Sequence, residues 1–304
     1  MSTPLSGAQV RLESGPYVAE IASVGASLRS LTARGRDLVV PFAADAVRPL
    51  YRGAVLVPWP NRVVDGRYRF DGVEEQLALT EPERGHALHG LVGWTDFRIA
   101  EATATRAVLE TEVPAQQGYP HRLAVTVSYT LGEDGLETRI RTENTGPDAA
   151  PYGTSGHPYL VGGPGRVDDW TLTFAAEQVL EVDPDRLVPV GLAPVAGGPF
   201  DFHDGRPIGD LFIDHAFTGL ERDGSGGARV EVRASDGHGA ALTWDAVCPW
   251  VQLHTGDRPE PEWNRAGLAA EPMTCPPDAF NSGTDLVVLQ PGEHHEAAWR
   301  IAAV

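Results

Sequence analysis

Apolar and polar residues alternate with a period of two along much of the chain, as they do in β-strands that bury one face. The alternation runs through residues 123–131 and resumes at 136–140. The segment Gly132-Glu-Asp-Gly135 between them has the composition of a tight turn, so this region predicts a β-hairpin. Residues 228–244 show the same arrangement around a turn at 235–239 and predict a second hairpin.

The other strand signals are shorter, and helical periodicity is scarce. Only residues 208–212 have the pattern of a short helical turn. Because 34 glycines and 25 prolines punctuate many short strands, the sequence predicts an all-β fold, an antiparallel β-sandwich. The further predicted strands are residues 27–31, 68–70, 107–113, 171–174, 249–255, 285–289 and 296–302.

No linker, internal repeat or change of composition divides the chain. We therefore expect residues 1–304 to form a single domain. Two long segments rich in Gly or Pro, Gly191–Asp210 and Gly256–Gly283, are predicted to be loops. Long ordered loops of compact domains often carry functional residues.

The charge of the chain excludes several classes of partner. The formal net charge is −18, and no run of Lys or Arg offsets it, so we expect neither nucleic acid nor an anionic membrane as a partner. Cys248 and Cys275 are too few for a disulfide framework, and their spacing matches no zinc motif. The N-terminus lacks a secretory signal pattern, and no apolar run reaches membrane-spanning length. A soluble cytoplasmic protein is expected.

An aromatic and polar cluster follows a proline-bounded apolar segment near residue 60. Trp59 stands close to Asn61 and Arg62, and a turn follows at residues 65–66. Sugar sites combine an aromatic face with planar hydrogen-bond donors of this kind. An isolated Asn-Arg pair is usually explained by a surface ion pair. The cluster indicates a sugar site only because of its aromatic neighbour.

Three histidines lie in glycine-rich segments. His86 and His89 are three residues apart, but this spacing places two side chains on one face only in a helix. The flanking glycines indicate a loop, so we expect one hydrogen-bonding histidine in a pocket and no metal site. His157 precedes a proline that restricts its backbone to extended conformations. Its alternative role is a loop histidine bonded to the backbone.

Polar side chains also stand among apolar residues in the C-terminal half. Asp214 is either a structural cap or an acceptor for sugar hydroxyls. Trp250, Gln252 and His254 alternate along a predicted strand, so they share a face that suits the floor of a polar pocket.

Glu271 lies among Ala, Pro, Met and Cys, where burial raises the pKa of a carboxyl group and a nearby cation lowers it. A surface glutamate in a loop is the alternative. An imidazole and a carboxylate at one site can move two protons at neutral pH. His157 and Glu271 are therefore a candidate acid/base pair.

Six segments in order resemble motifs of the aldose 1-epimerase (galactose mutarotase-like) family, and together they span nearly the whole chain. Two positions differ from those motifs. Leu91 replaces the second glycine of Leu-His-Gly-Gly, and residues 160–163 lack the asparagine that usually follows His-Pro-Tyr. The segments that carry the resemblance are Tyr51–Gly72, Leu88–Gly90, Gly156–Tyr159, Ile213–Phe217, Gln252–Gly256 and Glu271–Asn281.

The resemblance implies a large antiparallel β-sandwich, a supersandwich, with a sugar in an open cleft on one sheet. It implies that ionised Glu271 is the general base and protonated His157 the general acid, which interconvert the α and β anomers of an aldohexose. The expected partner is a small aldose, no metal or organic cofactor is implied, and the protein is expected to be a monomer or a homodimer. The predicted sugar-binding residues are Arg62, His89, Asp214, Asn61, Gln252 and Trp59.

Three alternatives stay open at this point. A hexose-6-phosphate mutarotase would need extra basic residues, and Arg48 and Arg52 are near Arg62 in sequence. A non-catalytic sugar-binding or sensor protein would not need an acid/base pair. A glycoside hydrolase normally uses two carboxylates, whereas the candidate pair here is a histidine and a glutamate.

Overall fold

The structure, a computed structural model, describes residues 3–304, so Met1 and Ser2 of the predicted domain lie outside the described residues. Its strands pair antiparallel within every sheet, which confirms the predicted all-β, antiparallel fold. Between residues 3 and 304, no helix is both long and apolar enough to cross a membrane. The helical elements in this range are three 3-10 turns, Pro49–Tyr51, Val64–Gly66 and Val167–Asp169, and the α-helix α1 (Ala279–Ser282).

The strands are short, and most follow one another through tight turns. Those before residue 153 are β1 (Gln9–Ser14), β2 (Tyr17–Ala22), β3 (Ser27–Ala33), β4 (Arg36–Asp37), β5 (Val55–Leu56), β6 (Arg62–Val63), β7 (Arg67–Phe70), β8 (Val73–Gln76), β9 (Ala87–Leu88), β10 (Arg98–Ala102), β11 (Arg106–Val113), β12 (Leu123–Gly132), β13 (Gly135–Asn144) and β14 (Ala150–Tyr152). Those after it are β15 (Ser155–Gly156), β16 (Tyr159–Leu160), β17 (Thr171–Phe174), β18 (Ala176–Val182), β19 (Pro189–Pro194), β20 (Phe202–Pro207), β21 (Asp214–Leu220), β22 (Ala228–Arg233), β23 (Gly239–Trp244), β24 (Trp250–His254), β25 (Leu268–Met273), β26 (Val287–Leu289) and β27 (His294–Ala303).

The largest sheet has nine strands in the order β10-β11-β12-β13-β27-β23-β22-β17-β20. Both predicted hairpins are part of it. Gly132 pairs with Gly135 at the turn between β12 and β13, and Arg233 pairs with Gly239 at the turn between β22 and β23. Alternate residues of β12 are buried, as the period of two predicts. The two hairpin predictions are therefore confirmed.

A second sheet has six strands in the order β16-β25-β24-β21-β18-β19. It shares a hydrophobic core with the nine-stranded sheet, and the rings of Phe174 and Phe217 meet edge to face across this core with centroids 5.2 Å apart. The remaining strands form a four-stranded sheet, β1-β2-β3-β4, and two-stranded ribbons. The six-stranded sheet is the one that carries the polar candidates of the C-terminal half.

The seven shorter predicted strands correspond to β3, β7, β11, β17, β24, β26 and β27, with ends that differ by at most two residues. The two loop predictions are wrong. Residues 191–210 contain most of β19 and all of β20, and residues 256–283 contain β25 with Glu271. Residues 208–212 form a turn rather than a helix.

The physical reasons for these errors differ. All six residues of β25 are buried, so its sequence does not alternate. Strand β19 begins and ends with proline, which a strand at the edge of a sheet tolerates because one side needs no hydrogen-bond donors.

Gly156 of β15 offers a test of the packing that precedes His157. A methyl group on Gly156 would lie 2.3 Å from Cζ2 of Trp299, whereas a methyl group on Gly191 of β19 would meet open space. We expect Gly156→Ala to lower the free energy of unfolding by about 1–3 kcal/mol, because it overpacks the core. The control Gly191→Ala should change it by less than about 0.5 kcal/mol. Urea unfolding of both variants measures this, and equal midpoints would contradict the contact.

Candidate active site

A cavity of about 410 Å³ is lined by residues of the six-stranded sheet and of the loops that pack on it. Most of the predicted site residues meet here although they are far apart in sequence. The predicted residues that line the cavity are Asn61, Arg62, His89, His157, Asp214 and Glu271. A second cavity of about 980 Å³ is lined by residues of turns and strand ends, and by none of the predicted site residues.

The register of three neighbouring strands places the acidic residues of the cavity. Asp214 of β21 lies opposite His254 of β24, and Gln252 of β24 lies opposite Glu271 of β25. Gln252 also donates a hydrogen bond from Nε2 to Oδ1 of Asp214 at 2.7 Å. Of the polar face predicted for β24, His254 lines the cavity, and Gln252 stands opposite Glu271 but gives its hydrogen bond to Asp214. Trp250, further along this strand, instead donates to Asp285.

His157 lies between β15 and β16 and is fixed on both sides. Its backbone N–H donates to the carbonyl of Ala54 at 2.9 Å, and its own carbonyl accepts from Gly53 at 2.8 Å. The imidazole stacks between two tyrosines, with centroids 5.1 Å from Tyr159 and 6.3 Å from Tyr51. These contacts leave its ring edge facing Glu271.

The shortest contact between the predicted acid and base is 3.3 Å, from Nε2 of His157 to Oε1 of Glu271. Both residues are buried, with 5% and 2% of their surfaces exposed. Within residues 3–304, Nδ1 of His157 and Oε2 of Glu271 have no hydrogen-bond partner. The pair thus keeps spare donors and acceptors beside the cavity.

Burial pushes both members of this pair towards their neutral forms. Burial, with a smaller contribution from the nearby His254, lowers the pKa of His157 to about 3. Burial also raises the pKa of Glu271 well above its ordinary value, and the carboxylate of Asp214 adds to this effect. The free site therefore favours neutral His157 and protonated Glu271, whereas the sequence analysis expected a charged pair. The two forms differ only in which residue holds the proton.

Arg62 is held by a carboxylate that the sequence analysis missed. Its Nε and Nη2 donate to the two oxygens of Glu81 at 2.8 and 3.0 Å, and its Nη2 lies 3.9 Å from Oδ2 of Asp214. Asn61 accepts hydrogen bonds from the backbone and the guanidinium of Arg62. Glu81 belongs to the charged segment Glu-Pro-Glu-Arg84, which looks like an exposed loop in sequence.

These neighbours keep two carboxyl groups ionised. Burial opposes ionisation of Glu81, but the hydrogen bond from Arg62 holds its pKa below the ordinary value. Burial likewise opposes ionisation of Asp214, and the nearby His254 and Arg62 hold its pKa below the ordinary value. The cavity therefore contains ionised Asp214 close to the neutral pair.

His89 is the one of the two neighbouring histidines that reaches the cavity. Its φ is +62°, and its backbone N–H donates to the carbonyl of Asn61 at 2.8 Å. Its ring lies 5.0 Å from that of His157, edge to face. Burial lowers the pKa of His89, and the neighbouring His157 lowers it further. His86 instead bonds through Nε2 to the carbonyl of Arg186.

Trp59, predicted as the aromatic face of a sugar site, does not line the cavity. It is 3% exposed and packs against Tyr119 and Phe280 in the core. The tryptophan at the cavity is Trp94, which is 53% exposed and lies over the guanidinium of Arg48 at 4.4 Å. The cavity-lining residues absent from the predicted set include Tyr51, Glu81, Arg84, Trp94, Tyr159, Phe212 and Arg258.

Comparisons with known proteins agree with this fold. The aldose 1-epimerase family model matches residues 8–302. The chain is 38% identical to the uncharacterized protein YihR of Escherichia coli K12, over 97% of this chain and 93% of that protein. It is 29% identical to the galactose mutarotase of Homo sapiens, over 94% and 91% of the two chains. The solved structure of an aldose epimerase homologue from C. elegans superposes with a TM-score of 0.85 at 19% identity and covers 98% of both chains.

The burial of His157 predicts a pH dependence of stability. In the unfolded chain this histidine binds a proton below about pH 6.5, whereas the folded site resists protonation down to about pH 3. The contribution of His157 to stability is therefore lost as the pH falls through this window, by up to roughly 1 kcal/mol per pH unit, whereas Glu271, whose pKa is raised in the folded site, contributes in the opposite direction. We expect His157→Asn to lose less stability than the wild type between pH 6.5 and 4 in urea unfolding. Parallel pH profiles would contradict the buried, neutral imidazole.

Proposed function

We propose that this chain, which belongs to the aldose 1-epimerase family, interconverts the α and β anomers of an aldohexose. The observation that carries the proposal is the 3.3 Å contact between His157 Nε2 and Glu271 Oε1 beside the cavity. The reaction exchanges protons at the C1 hydroxyl and the ring oxygen, which are bonded to the same carbon. An acid and a base that serve both oxygens must therefore be neighbours.

In the proposed mechanism, Glu271 accepts the proton of the C1 hydroxyl while His157 donates a proton to the ring oxygen. The ring opens to the aldehyde, the C1–C2 bond rotates, and closure on the other face reverses both transfers. This sequence starts from the charged form of the pair. Hydrogen bonds from the sugar to the Glu271 carboxylate favour that form, because they stabilise the ionised group. The reaction moves protons without a change of oxidation state, so it requires no redox cofactor.

The charged groups around the pair suit a polyhydroxylated ligand. Arg62 is oriented by both oxygens of Glu81, and Asp214 is oriented by Gln252. Fixed donors and acceptors of this kind position a ligand with little loss of side-chain freedom. The exposed ring of Trp94 adds an apolar surface at the same cavity. In this proposal, Arg62, His89 and Asp214 bind the sugar hydroxyls.

Two of the alternatives are less well supported by the geometry. A glycoside hydrolase uses two carboxyl groups on either side of the bond that breaks. Here the carboxyl group of Asp214 is engaged by Gln252, and Glu271 is in contact with an imidazole instead. A sugar sensor has no use for a buried acid/base pair, whose burial is energetically costly.

Replacing either member of the pair should abolish most of the activity. We expect Glu271→Gln and His157→Asn each to slow the mutarotation of α-D-glucose or α-D-galactose by about 10²–10⁴-fold, since one placed acid or base is lost. Polarimetry of freshly dissolved sugar, with the spontaneous rate subtracted, measures this. The exposed pair His203 and Glu221, 3.2 Å apart, provides matched controls, and His203→Asn and Glu221→Gln should keep the wild-type rate.

Two results would contradict the proposal. A folded Glu271→Gln protein with the wild-type rate would exclude this residue as the base. Absence of acceleration by the wild type with either sugar would favour a phosphorylated or unusual aldose, or a sensor.

One cation favours the hexose-6-phosphate alternative. Arg48 and Arg52, which suggested it in the sequence, are 4% and 6% exposed, and each donates to a backbone carbonyl away from the cavity lining. Arg258 does line the cavity, and no carboxylate among residues 3–304 forms an ion pair with it. Arg62 and Arg84, by contrast, are both paired with Glu81.

Arg258→Ala separates the two substrate classes. If the sugar is phosphorylated, kcat/KM for glucose 6-phosphate should fall by about 10–100-fold, as expected for a lost charge-assisted hydrogen bond. The value for glucose should stay unchanged. Equal kcat/KM values of wild type and variant for the phosphorylated sugar would exclude Arg258 as a phosphate ligand.

A further inference from the structure

The cavity gathers the donor set of a transition-metal site. One nitrogen from each of His89 and His157 and one carboxylate oxygen of Glu271 lie within 4.8 Å of one another. Two imidazoles and one glutamate form the protein part of several zinc sites, which keep a fourth position open for water or a ligand. The open position here would face the 410 Å³ cavity. We propose that these three residues bind a divalent transition-metal ion such as Zn²⁺, and that the ion competes with the sugar.

The geometry requires little rearrangement. With bonds of about 2.0–2.2 Å, neighbouring ligand atoms of a tetrahedral zinc ion are about 3.4 Å apart. Nε2 of His157 and Oε1 of Glu271 are already 3.3 Å apart. The ring of His89 meets that of His157 edge to face with centroids 5.0 Å apart, and one of its nitrogens lies within 4.8 Å of the other two ligand atoms. Only the third ligand has to approach.

The side chains have no competing partners outside the pair. Along residues 3–304, nothing bonds to Nδ1 of His89, Nδ1 of His157 or Oε2 of Glu271, so the contact that a metal ion must replace is the one between Nε2 of His157 and Oε1 of Glu271. All three side chains are more than nine-tenths buried. Arg62, a nearby cation, is paired with Glu81, which offsets its repulsion of a metal ion. Binding a metal therefore replaces the 3.3 Å contact between His157 and Glu271 and releases the proton that the pair holds.

The donor set determines which ions bind. Imidazole nitrogens favour Zn²⁺, Cu²⁺, Ni²⁺ and Co²⁺, whereas Mg²⁺ and Ca²⁺ prefer oxygen ligands. A bound ion would occupy the lone pairs of the same atoms that exchange protons with the sugar. The metal site is thus an inhibitory site, and protein purified on a nickel resin should lose activity until it is treated with a chelator.

The test uses the full chain stripped with EDTA. Titration with Co²⁺, followed by its visible absorption, should show one bound ion per chain, and Zn²⁺ should displace it while Mg²⁺ should not. His89→Gln and Glu271→Gln should each weaken binding by at least about tenfold, the smallest loss reported even for residues that only support a metal ligand. The exposed control His203→Gln should bind like the wild type. Zn²⁺ should raise the melting temperature of the wild type but not of the two site variants.

Metal binding is measured by the Co²⁺ spectrum, and inhibition is measured by the rate of mutarotation. Absence of a Co²⁺ spectrum, or binding unchanged in both site variants, would overturn the proposed metal site. Circular dichroism of each variant establishes that it is folded. The competition between the metal ion and the sugar rests on the proposed function, whereas the Co²⁺ spectrum measures metal binding independently of it. A protein that binds one Co²⁺ at these residues and fails to accelerate mutarotation would support the site and contradict the function.

Discussion

The site depends on a carboxyl group and an imidazole that are buried in contact with each other. Glu271 lies on a strand whose six residues are all buried, and His157 is stacked between two tyrosines. Two separated charges at this depth would cost several kcal/mol each in lost hydration. The pair avoids this cost by staying neutral, with the proton on Glu271 and the imidazole 3.3 Å away. The neighbouring strands determine where Glu271 lies, because β25 pairs with β24 and β24 pairs with β21 in a fixed register.

The other polar groups of the cavity are charged, in contrast to the neutral pair. Arg62, Glu81 and Asp214 stay ionised because each has an opposite charge or a donor in direct reach. The cavity therefore combines fixed charges, which suit the binding of hydroxyl groups, with a neutral pair that can gain charge only by moving a proton. Catalytic sites often differ from binding sites in this respect, since groups with strongly shifted pKa values concentrate where protons move.

Sequence patterns anticipated the parts of the molecule in which local rules decide the structure. The two hairpins alternate because one face of each is buried, so their strands and turns could be predicted. Strand β25 could not, because a strand buried on both faces resembles an apolar loop when it carries Pro272. Trp59 and Trp94 could not be told apart either, since a tryptophan near a polar motif fits the core and the cavity equally well. Glu81 was missed because its partner Arg62 is nineteen residues away.

The two departures from the family motifs concern packing rather than the cavity. Gly90 has a φ of +72°, and a methyl group there would lie 2.2 Å from the carbonyl oxygen of Val57, so glycine is required. Leu91 has no such constraint and packs against the core. In the second segment, a methyl group on Gly162 would lie 2.6 Å from Trp170. Neither Leu91 nor Gly162 lines the 410 Å³ cavity. Under the proposed function, substrate preference would be set by residues that do line it, such as Trp94, Phe212 and Arg258, which are not part of the proposed acid/base pair.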